Sequence, residues 1–431
     1  MIAIIISLVI LVVLTFKKVN VLLSAPIAAA VLIVLNKMPL ISTLTNDYAG
    51  GAADFIQSVW LMILLGAVFG KLMDETGAAA AIAKLIIDMF GVKRAPVAVI
   101  LASGLLAYGG IQSMVIVFTL YPITLTLFKK GDLPRALIPG VIGAGSFTFA
   151  NMLPGSPQAL NVIPTTYLGT TVMAAPLLGV VSAAVTFIMI YFYFKFVFRK
   201  EKEKGNHFIS DASIERTIKK AEDMENGTAL PNPWIALIPP AIVLITLNLL
   251  GWDILVALVT GCILCIVLFF RNMPDILETL STGSTGAAVA VLNTAAVIGV
   301  GTVIRNTDGF QQIVDAVLNF GGNPLAAFGA ATSILSGVTA SGTGGISITL
   351  ESLAEPFLNM GVNAEALHRI GTVACCGLDS LPYSGGIVTL LTVTGISHKE
   401  GYKHLFATTV VITTITLVIA VILGAVLYPV A

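Results

Sequence analysis

The chain has 431 residues, of which 57% are hydrophobic and only 11% are charged; a soluble domain carries about 25% charged residues, so this composition excludes a soluble globular protein. The 23 basic and 23 acidic side chains balance to a net charge of zero, which gives no reason to expect a nucleic-acid partner. The four cysteines have no histidine or second C-x-x-C beside them, so we predict no metal site and no cofactor.

Long apolar runs predict a polytopic membrane protein built from helices, because a spanning helix needs about 20 mostly apolar residues. A charged linker, 199–232, separates two halves of similar length, 1–198 and 233–431. In the first half, the crossings fall near residues 2–16, 20–36, 57–74, 136–168 and 172–198. We therefore predict an all-α fold with five spanning segments in each half.

Residues 95–128 are too apolar for a loop, yet basic residues flank both ends, so the chain must return to the side that it left. We predict a re-entrant helical hairpin whose tip is AYGGIQS, Ala107–Ser113, because glycine tolerates the positive φ of a tight turn. A second hairpin is expected at 325–357, with the tip TASGTGGIS at Thr339–Ser347. Non-helical backbone at membrane depth needs protein or a wet cavity to satisfy it, so the two tips predict a central polar site.

Two further segments carry similar proline-containing interruptions. NMLPGS occupies Asn151–Ser156 and DSLPYS occupies Asp379–Ser384. They fall within the predicted broken helices 136–168 and 366–394.

Each interruption is expected to stop one helix and to start another. Pro154 has no N–H and clashes with the preceding turn, so the helix should end near it. Ser156 followed by Pro157 predicts an N-cap and a first helical residue, and Ser384 is the corresponding N-cap. The restarted helices would direct free N–H groups toward the membrane centre, where they can hold a carboxylate.

The two halves share these motifs in the same order, which predicts a duplicated unit. If the second copy runs upside down and the N- and C-termini lie outside, most lysines and arginines become cytoplasmic. Only Lys37, Arg305 and Arg369 then fall outside. We predict two inverted-topology repeats joined by a cytoplasmic linker, with His368 and His404 near the surfaces.

Neutral polar residues and glycines gather at the tips and the breaks. The residues that we predict to bind substrate are Tyr108, Gly109, Gly110, Gln112, Ser113, Asn151, Gly155, Ser156, Gln158, Ser341, Thr343, Gly344, Ser347, Ser380, Tyr383 and Ser384. Hydroxyls and amides suit the carboxylate and hydroxyl groups of a hydroxy acid. No arginine is evident at the site, which favours helix-terminal N–H groups as anion binders and a singly charged substrate.

Asp379 is the acid that we predict to carry the coupling proton. It stands where the first half has Asn151, near the membrane midplane, where an ionised carboxylate is costly. Glu351, on the returning arm of the second hairpin, is the second choice. The alternatives are that Asp379 only caps a backbone break and that Glu351 belongs to a solvated face.

Two stretches resemble the gluconate permease family of bacterial carboxylate:proton symporters, within the ion transporter superfamily. They are FGKLMDETGAAAAIAKLI at Phe69–Ile86 and GVIGAGSFTFANMLPGSPQALNVIPTTYLGTT at Gly140–Thr171. The resemblance implies proton-coupled import of a small monocarboxylate, of the 3-hydroxybutyrate or gluconate class, across the bacterial cytoplasmic (inner) membrane. It also implies scaffold and transport domains, elevator-like movement and a homodimer in the lipid bilayer.

There are two alternatives to a proton symporter: a transporter on the same fold with a different coupling, and a protein that is not a transporter. Distant relatives of the family use sodium at Ser-Asn-Thr motifs beside each tip, and these motifs are absent here; a sodium-coupled symporter or an anion exchanger on the same fold is the alternative. An enzyme is not predicted, because the chain has no H-E-x-x-H, no G-x-S-x-G and no soluble catalytic domain.

Overall fold

The fold is known from a computed structural model that describes residues 2–17, 19–212, 214–219, 230–273, 275–310, 312, 322–382 and 384–429. Within these ranges the regular elements are all helices, which confirms the all-α prediction. A helix satisfies its own backbone hydrogen bonds, as a chain in lipid requires.

Nine helices of the first half are described. They are α1 (Ile2–Phe16), α2 (Val21–Leu35), α3 (Leu40–Glu75), α4 (Ala78–Phe90), α5 (Ala95–Tyr108), α6 (Ser113–Lys130), α7 (Ile138–Ala144), α8 (Ala159–Leu168) and α9 (Pro176–Glu203). A π-helical stretch, Gly145–Phe149, follows α7 and is kinked at Thr148 (φ −125°, ψ −111°), and a last helical turn, Ala150–Met152, comes after the kink. Two helices are longer than predicted: α3 begins well before residue 57, and α9 extends past residue 199 into the predicted linker.

The described residues of the second half form eight helices in a matching order. They are α10 (Pro233–Asn248), α11 (Ile254–Phe269), α12 (Ile276–Arg305), α13 (Pro324–Thr339), α14 (Gly342–Asn359), α15 (Ala364–Ala374), α16 (Gly385–Thr394) and α17 (His398–Leu427). In chain order α10–α12 correspond to α1–α3, and α13–α17 correspond to α5–α9. The opposite orientation of the two halves stays a prediction.

The two predicted hairpins are pairs of packed helices. Helices α5 and α6 contact each other, as do α13 and α14, and their ends lie within two residues of the predicted bounds. The turns rely on left-handed backbone at Gly110 (φ 96°) and Ala340 (φ 52°). Glycine adopts this conformation freely, whereas alanine does so at a cost.

The helices form two groups. Helices α1–α3 pack with α10–α12, and α3 lies along α12. The second group contains both hairpins, the broken helices and the long helices α9 and α17, which pack against each other. The groups meet where α12 contacts α14 and where α1 contacts α13, and α4 lies between them, in contact with α10 of the first group and α5 of the second.

Six helices in the described part of the chain are long and apolar enough to cross a membrane. They are α3, α6, α9, α11, α12 and α17. Helix α6 is among them although it is the second arm of a predicted hairpin, so length alone does not separate a crossing from a returning arm. The apolar helices α2, α10, α13 and α16 are shorter, and five crossings per half stay a prediction.

The linker docks on the base of the first hairpin. Lys129, at the end of α6, pairs with Glu215 at 2.7 Å, and Arg135 pairs with Asp211 at 3.4 Å. The His207 ring lies 2.6 Å from the Asp132 carboxylate. These contacts put the linker and the basic end of the hairpin on one face, and the assignment of that face to the cytoplasm stays a prediction.

Candidate functional site

The first predicted break is confirmed. Helical backbone ends at Met152, Leu153 is extended (φ −68°, ψ 137°), and α8 begins only at Ala159. Gly155 has φ 83°, and a Cβ there would lie 2.9 Å from the amide of Asn248 in α10. That amide donates to the Gly155 carbonyl at 2.9 Å, a contact to the break that the sequence did not indicate.

The predicted helix start at Ser156 is wrong by two residues. The N-cap of α8 is Gln158, in extended backbone (φ −64°, ψ 142°), and its side chain makes no capping bond. The Ser156 hydroxyl accepts from the N–H of Gln158 at 3.3 Å and also donates to the Tyr108 carbonyl at 3.1 Å. Besides its local bond, the serine therefore connects the break to the hairpin tip, which a capping pattern in one segment does not reveal.

The first hairpin tip is hydrogen-bonded to the first break. The Tyr108 hydroxyl donates to the Pro154 carbonyl at 3.0 Å. The Gln158 amide donates to the carbonyls of Ala107 (2.7 Å) and Ile111 (3.0 Å). These predicted site residues thus satisfy backbone carbonyls that the interrupted helices leave free, as buried polar groups require.

The other predicted residues of the first half lie beside the same break. Ser113 and Asn151 both donate to the Ser146 carbonyl, at 3.1 and 3.4 Å. Gln112 is the N-cap residue of α6 and makes no side-chain capping bond. Gly109 has ordinary helical φ (−71°), so only the second glycine of the tip needs its special backbone freedom.

The second predicted break is also confirmed. Helix α15 ends at Ala374, Leu378–Ser380 form one 3₁₀ turn, and Leu381 is extended (φ −64°, ψ 159°). Ser384 is the N-cap residue of α16, as predicted, although its side chain makes no capping bond. Tyr383 lies outside the described residues.

The carboxylate of Asp379 lies against the N-terminus of α14. A Cβ on Gly342, the first residue of that helix, would lie 2.9 Å from Asp379 Oδ2, 3.1 Å from the Cys375 carbonyl and 3.3 Å from Leu160 Cδ2. Asp379 is half-buried, and its Oδ1 accepts a hydrogen bond from Ser380 at 2.8 Å. No lysine, arginine or histidine of the described chain forms an ion pair with it, so the nearest positive potential is that of the helix end.

The polar groups at the start of the second hairpin tip form hydrogen bonds with one another. Ser341 caps α14 by accepting from the Gly344 N–H at 3.2 Å, and its hydroxyl lies 3.0 Å from that of Thr343. Ser347, one turn further on, is fully buried, and its hydroxyl makes no hydrogen bond within the described part of the chain. A buried hydroxyl without a partner is costly, so Ser347 is the predicted residue with unused bonding capacity.

The two breaks and the two tips converge. Helix α8, which follows the first break, packs against α14 and α15, while α16, which follows the second break, packs against α6. A Cβ on Gly386 would lie 3.5 Å from Phe147 and 3.7 Å from Met114. Each restarted helix therefore contacts the hairpin of the other half.

A buried arginine, Arg369, lies beside the first break, where no arginine was evident from the sequence. Arg369 in α15 is 0% exposed. Its five N–H groups are all used. They donate to the carbonyls of Met152, Val172 and Ala174 (twice) and to Asn161 Oδ1, at 2.7–3.2 Å.

His368, the residue before Arg369, is also buried. Its Nε2 lies 3.1 Å from Asn161 Oδ1, and its Nδ1 lies 2.7 Å from the Thr170 hydroxyl. A neutral ring that donates from Nε2 and accepts at Nδ1 satisfies both contacts. The residue belongs to the same structural cluster as Arg369.

Glu351, the second choice for a proton carrier, has a fixed cation. Its carboxylate pairs with Arg305, whose Nη1 also donates to the Glu351 carbonyl at 2.9 Å. Asp379 has no such partner among the described residues. An ionised Glu351 is therefore stabilised by an ion pair with Arg305, whereas no described residue stabilises an ionised Asp379 in this way.

Comparison with known proteins identifies relatives along most of the chain. The family described as "CitMHS: Citrate transporter" matches residues 9–293. The uncharacterized transporter YxjC of Bacillus subtilis is 30% identical over 442 residues, covering 92% of this chain and 93% of that protein. An uncharacterized transporter of Haemophilus influenzae is 27% identical and covers 77% of each chain.

One solved structure shares the fold. It is MtrF of Neisseria gonorrhoeae, described as illuminating a class of antimetabolite efflux pumps. The TM-score is 0.57 at 15% identity, over 90% of this chain and 84% of that one. At this identity the likeness is one of fold alone.

Proposed function

The chain belongs to the citrate transporter family, and on that premise we propose that this multi-pass membrane transporter imports a small monocarboxylate together with a proton. The proposed substrates are hydroxy acids or sugar acids of the 3-hydroxybutyrate or gluconate class. The observation that carries the proposal is the position of Asp379, against Gly342 at the start of α14 and without a cation in the described chain.

The proposed coupling follows from this position. The first N–H groups of a helix have no partner within the helix and carry a partial positive charge. An ionised Asp379 occupies that potential and repels a second anion. A protonated Asp379 leaves it free for the carboxylate of the substrate, so proton and substrate bind together.

The charge of the substrate is proposed from the same contacts. A helix N-terminus supplies about half a positive charge, which suits one carboxylate better than several. The nearby guanidinium of Arg369 has no free N–H, because all five are bonded to protein oxygens. Citrate, the substrate in the description of the family, is the second candidate.

The architecture of the cycle is also a proposal. The group formed by α1–α3 and α10–α12 would be the scaffold, and the hairpins with the broken helices would be the transport domain that moves as an elevator between two inverted repeats. The limited contact between the two groups supports this division. A homodimer in the bacterial cytoplasmic membrane, with both termini outside, completes the proposal.

Uptake into proteoliposomes under an imposed pH gradient tests the coupling. Asp379→Asn keeps the size of the side chain but cannot titrate, so uptake driven by the gradient should be lost while substrate still raises the unfolding temperature. Glu351→Gln is the matched control and should retain gradient-driven uptake. Full uptake in the first variant, or loss only in the second, would reassign the proton carrier.

A competition series tests the substrate class and the alternatives. Unlabelled 3-hydroxybutyrate and gluconate should inhibit the uptake of labelled 3-hydroxybutyrate at lower concentrations than citrate does. Tighter competition by citrate would favour the second candidate. Uptake that follows a sodium gradient, or that requires an anion inside the vesicle, would favour the sodium symporter or the exchanger.

A further inference from the structure

A basic groove lies outside the proposed transport site, on the face that carries the linker. It has a volume of about 830 Å³ and opens between the first hairpin and α9. Lys93 and Arg94 border it just before α5, Lys130 borders it at the end of α6, and Lys195 borders it on α9. Four cations from three parts of the chain thus face one space.

The groove carries positive charge that the described chain does not neutralise. None of its lining residues is acidic. The neighbouring cations on this face behave differently, because Lys129 pairs with Glu215 and Arg135 with Asp211. No ion pair with a described residue forms at any of the four groove cations, so an anion from outside the described chain is the natural counter-charge.

The rest of the wall is apolar and aromatic. It includes Phe90, Phe187, Tyr191, Phe194 and Phe198. Next to these residues on α9, the side chains of Ile188, Phe192 and Phe196 are 51–59% exposed, as expected of a helix that faces lipid. Tyrosine is enriched at the level of the lipid headgroups, and Tyr191 is the residue of this wall to which that applies.

We propose that this groove binds one anionic phospholipid, with the phosphodiester headgroup among the four cations and the acyl chains along the aromatic wall of α9. Basic pockets between membrane helices bind anionic headgroups in this way. The bound lipid would join both ends of the first hairpin to α9. This site is independent of the transport reaction proposed above.

Native mass spectrometry and thermal unfolding of the full-length protein in detergent test the proposal. Phosphatidylglycerol should be retained and should raise the unfolding temperature, whereas phosphatidylcholine and glycerol 3-phosphate should do neither. Equal retention of both lipids would overturn the anionic selectivity. Binding of glycerol 3-phosphate alone would indicate a site for aqueous anions and would overturn the assignment to a lipid.

A pair of double variants locates the site. Lys130→Gln with Lys195→Gln should weaken phosphatidylglycerol binding about 25-fold, because each basic residue contributes about 1 kcal/mol, or about fivefold. Lys200→Gln with Lys202→Gln removes the same charge from the last turn of α9, outside the groove, and should leave binding unchanged. Equal weakening in both pairs would mean that the lipid responds to surface charge and not to the groove.

Discussion

Replacement of Gly342 by alanine should disable transport and leave the protein folded. The added methyl group would lie 2.9 Å from Asp379 Oδ2 and 3.1 Å from the Cys375 carbonyl. An ordinary contact begins near 3.4 Å, so the carboxylate must retreat by about 0.5 Å and the carbonyl by about 0.3 Å. Such overpacking costs about 1–3 kcal/mol.

This strain falls on the state in which Asp379 lies against α14. A cost of about 1–3 kcal/mol lowers the population of that state about 5- to 150-fold. The initial rate of proton-driven uptake in proteoliposomes should fall within that range. The unfolding temperature in detergent should fall by no more than this strain accounts for, because 1 kcal/mol lowers it by only about 2–4 °C in a chain of 150–250 residues and by less in a longer one.

Gly385→Ala is the matched control. Gly385 is the first residue of α16, as Gly342 is of α14, and a Cβ there meets nothing within 4 Å. Wild-type uptake in this control and reduced uptake in Gly342→Ala would support the close approach of Asp379. Wild-type uptake in both would refute it, and additive losses of Gly342→Ala and Asp379→Asn would show that the two residues act separately.

Three further predictions concern other parts of the structure. Arg369→Lys replaces five N–H donors by three, so at least two of the five bonds are lost and at least one of the four acceptors loses its bond to this side chain. An acceptor left unpaired costs about 1–3 kcal/mol, so the unfolding temperature should fall far more than in the exposed control Arg305→Lys. Equal shifts in the two variants would contradict a structural role for the Arg369 bonds. Ala340→Gly should stabilise the protein by about 1 kcal/mol in thermal unfolding, because φ is 52° there, and a destabilised variant would contradict this. The N–H of Phe208 lowers the pKa of Asp132, so docking of the linker should be complete above the ordinary carboxyl pKa and should weaken as pH falls through the lowered one, which hydrogen exchange of the linker should show. Asp132→Asn, which tolerates φ 50°, should reduce this pH dependence but not abolish it, because the hydrogen bond from Lys129 also lowers the pKa of Glu215; an unchanged pH dependence would contradict the role of Asp132.

Local backbone chemistry made the breaks and the hairpins predictable. Pro154 cannot continue a helix, and a segment flanked by cations at both ends must return. The structure confirms both breaks and both pairs of hairpin helices. Each of these signals lies within a few residues of the feature that it predicts.

The contacts between distant segments were not predictable in the same way. Arg369 lies ten residues before Asp379, about 15 Å along a helix, which suggests the edge of the membrane. The loop from Gly169 to Ala175 folds over it and supplies the Val172 and Ala174 carbonyls, and no local pattern predicts that. Likewise, the local bond from the Gln158 N–H to the Ser156 hydroxyl was predictable, whereas the bond from that hydroxyl to the Tyr108 carbonyl was not.

The two breaks are built differently, and this difference bears on which half does the coupling. At the first break, Tyr108, Ser156, Gln158 and Arg369 all donate to backbone carbonyls, so opening it would expose several buried acceptors at once. At the second break, the Tyr402 hydroxyl and the His398 ring bond to the carbonyls of Ser380 and Pro382, at 3.2 and 3.0 Å, but these side chains come from α17 and not from a hairpin tip. Asp379 meets α14 without an ion-pair partner among the described residues. A break whose polar groups are all bonded suits a hinge that holds the two halves together. A carboxylate that gains and loses a proton needs surroundings that do not strongly favour either its ionised or its neutral form. If transport is coupled to protons as proposed, the surroundings of Asp379 at the second break are therefore the ones that suit the coupling.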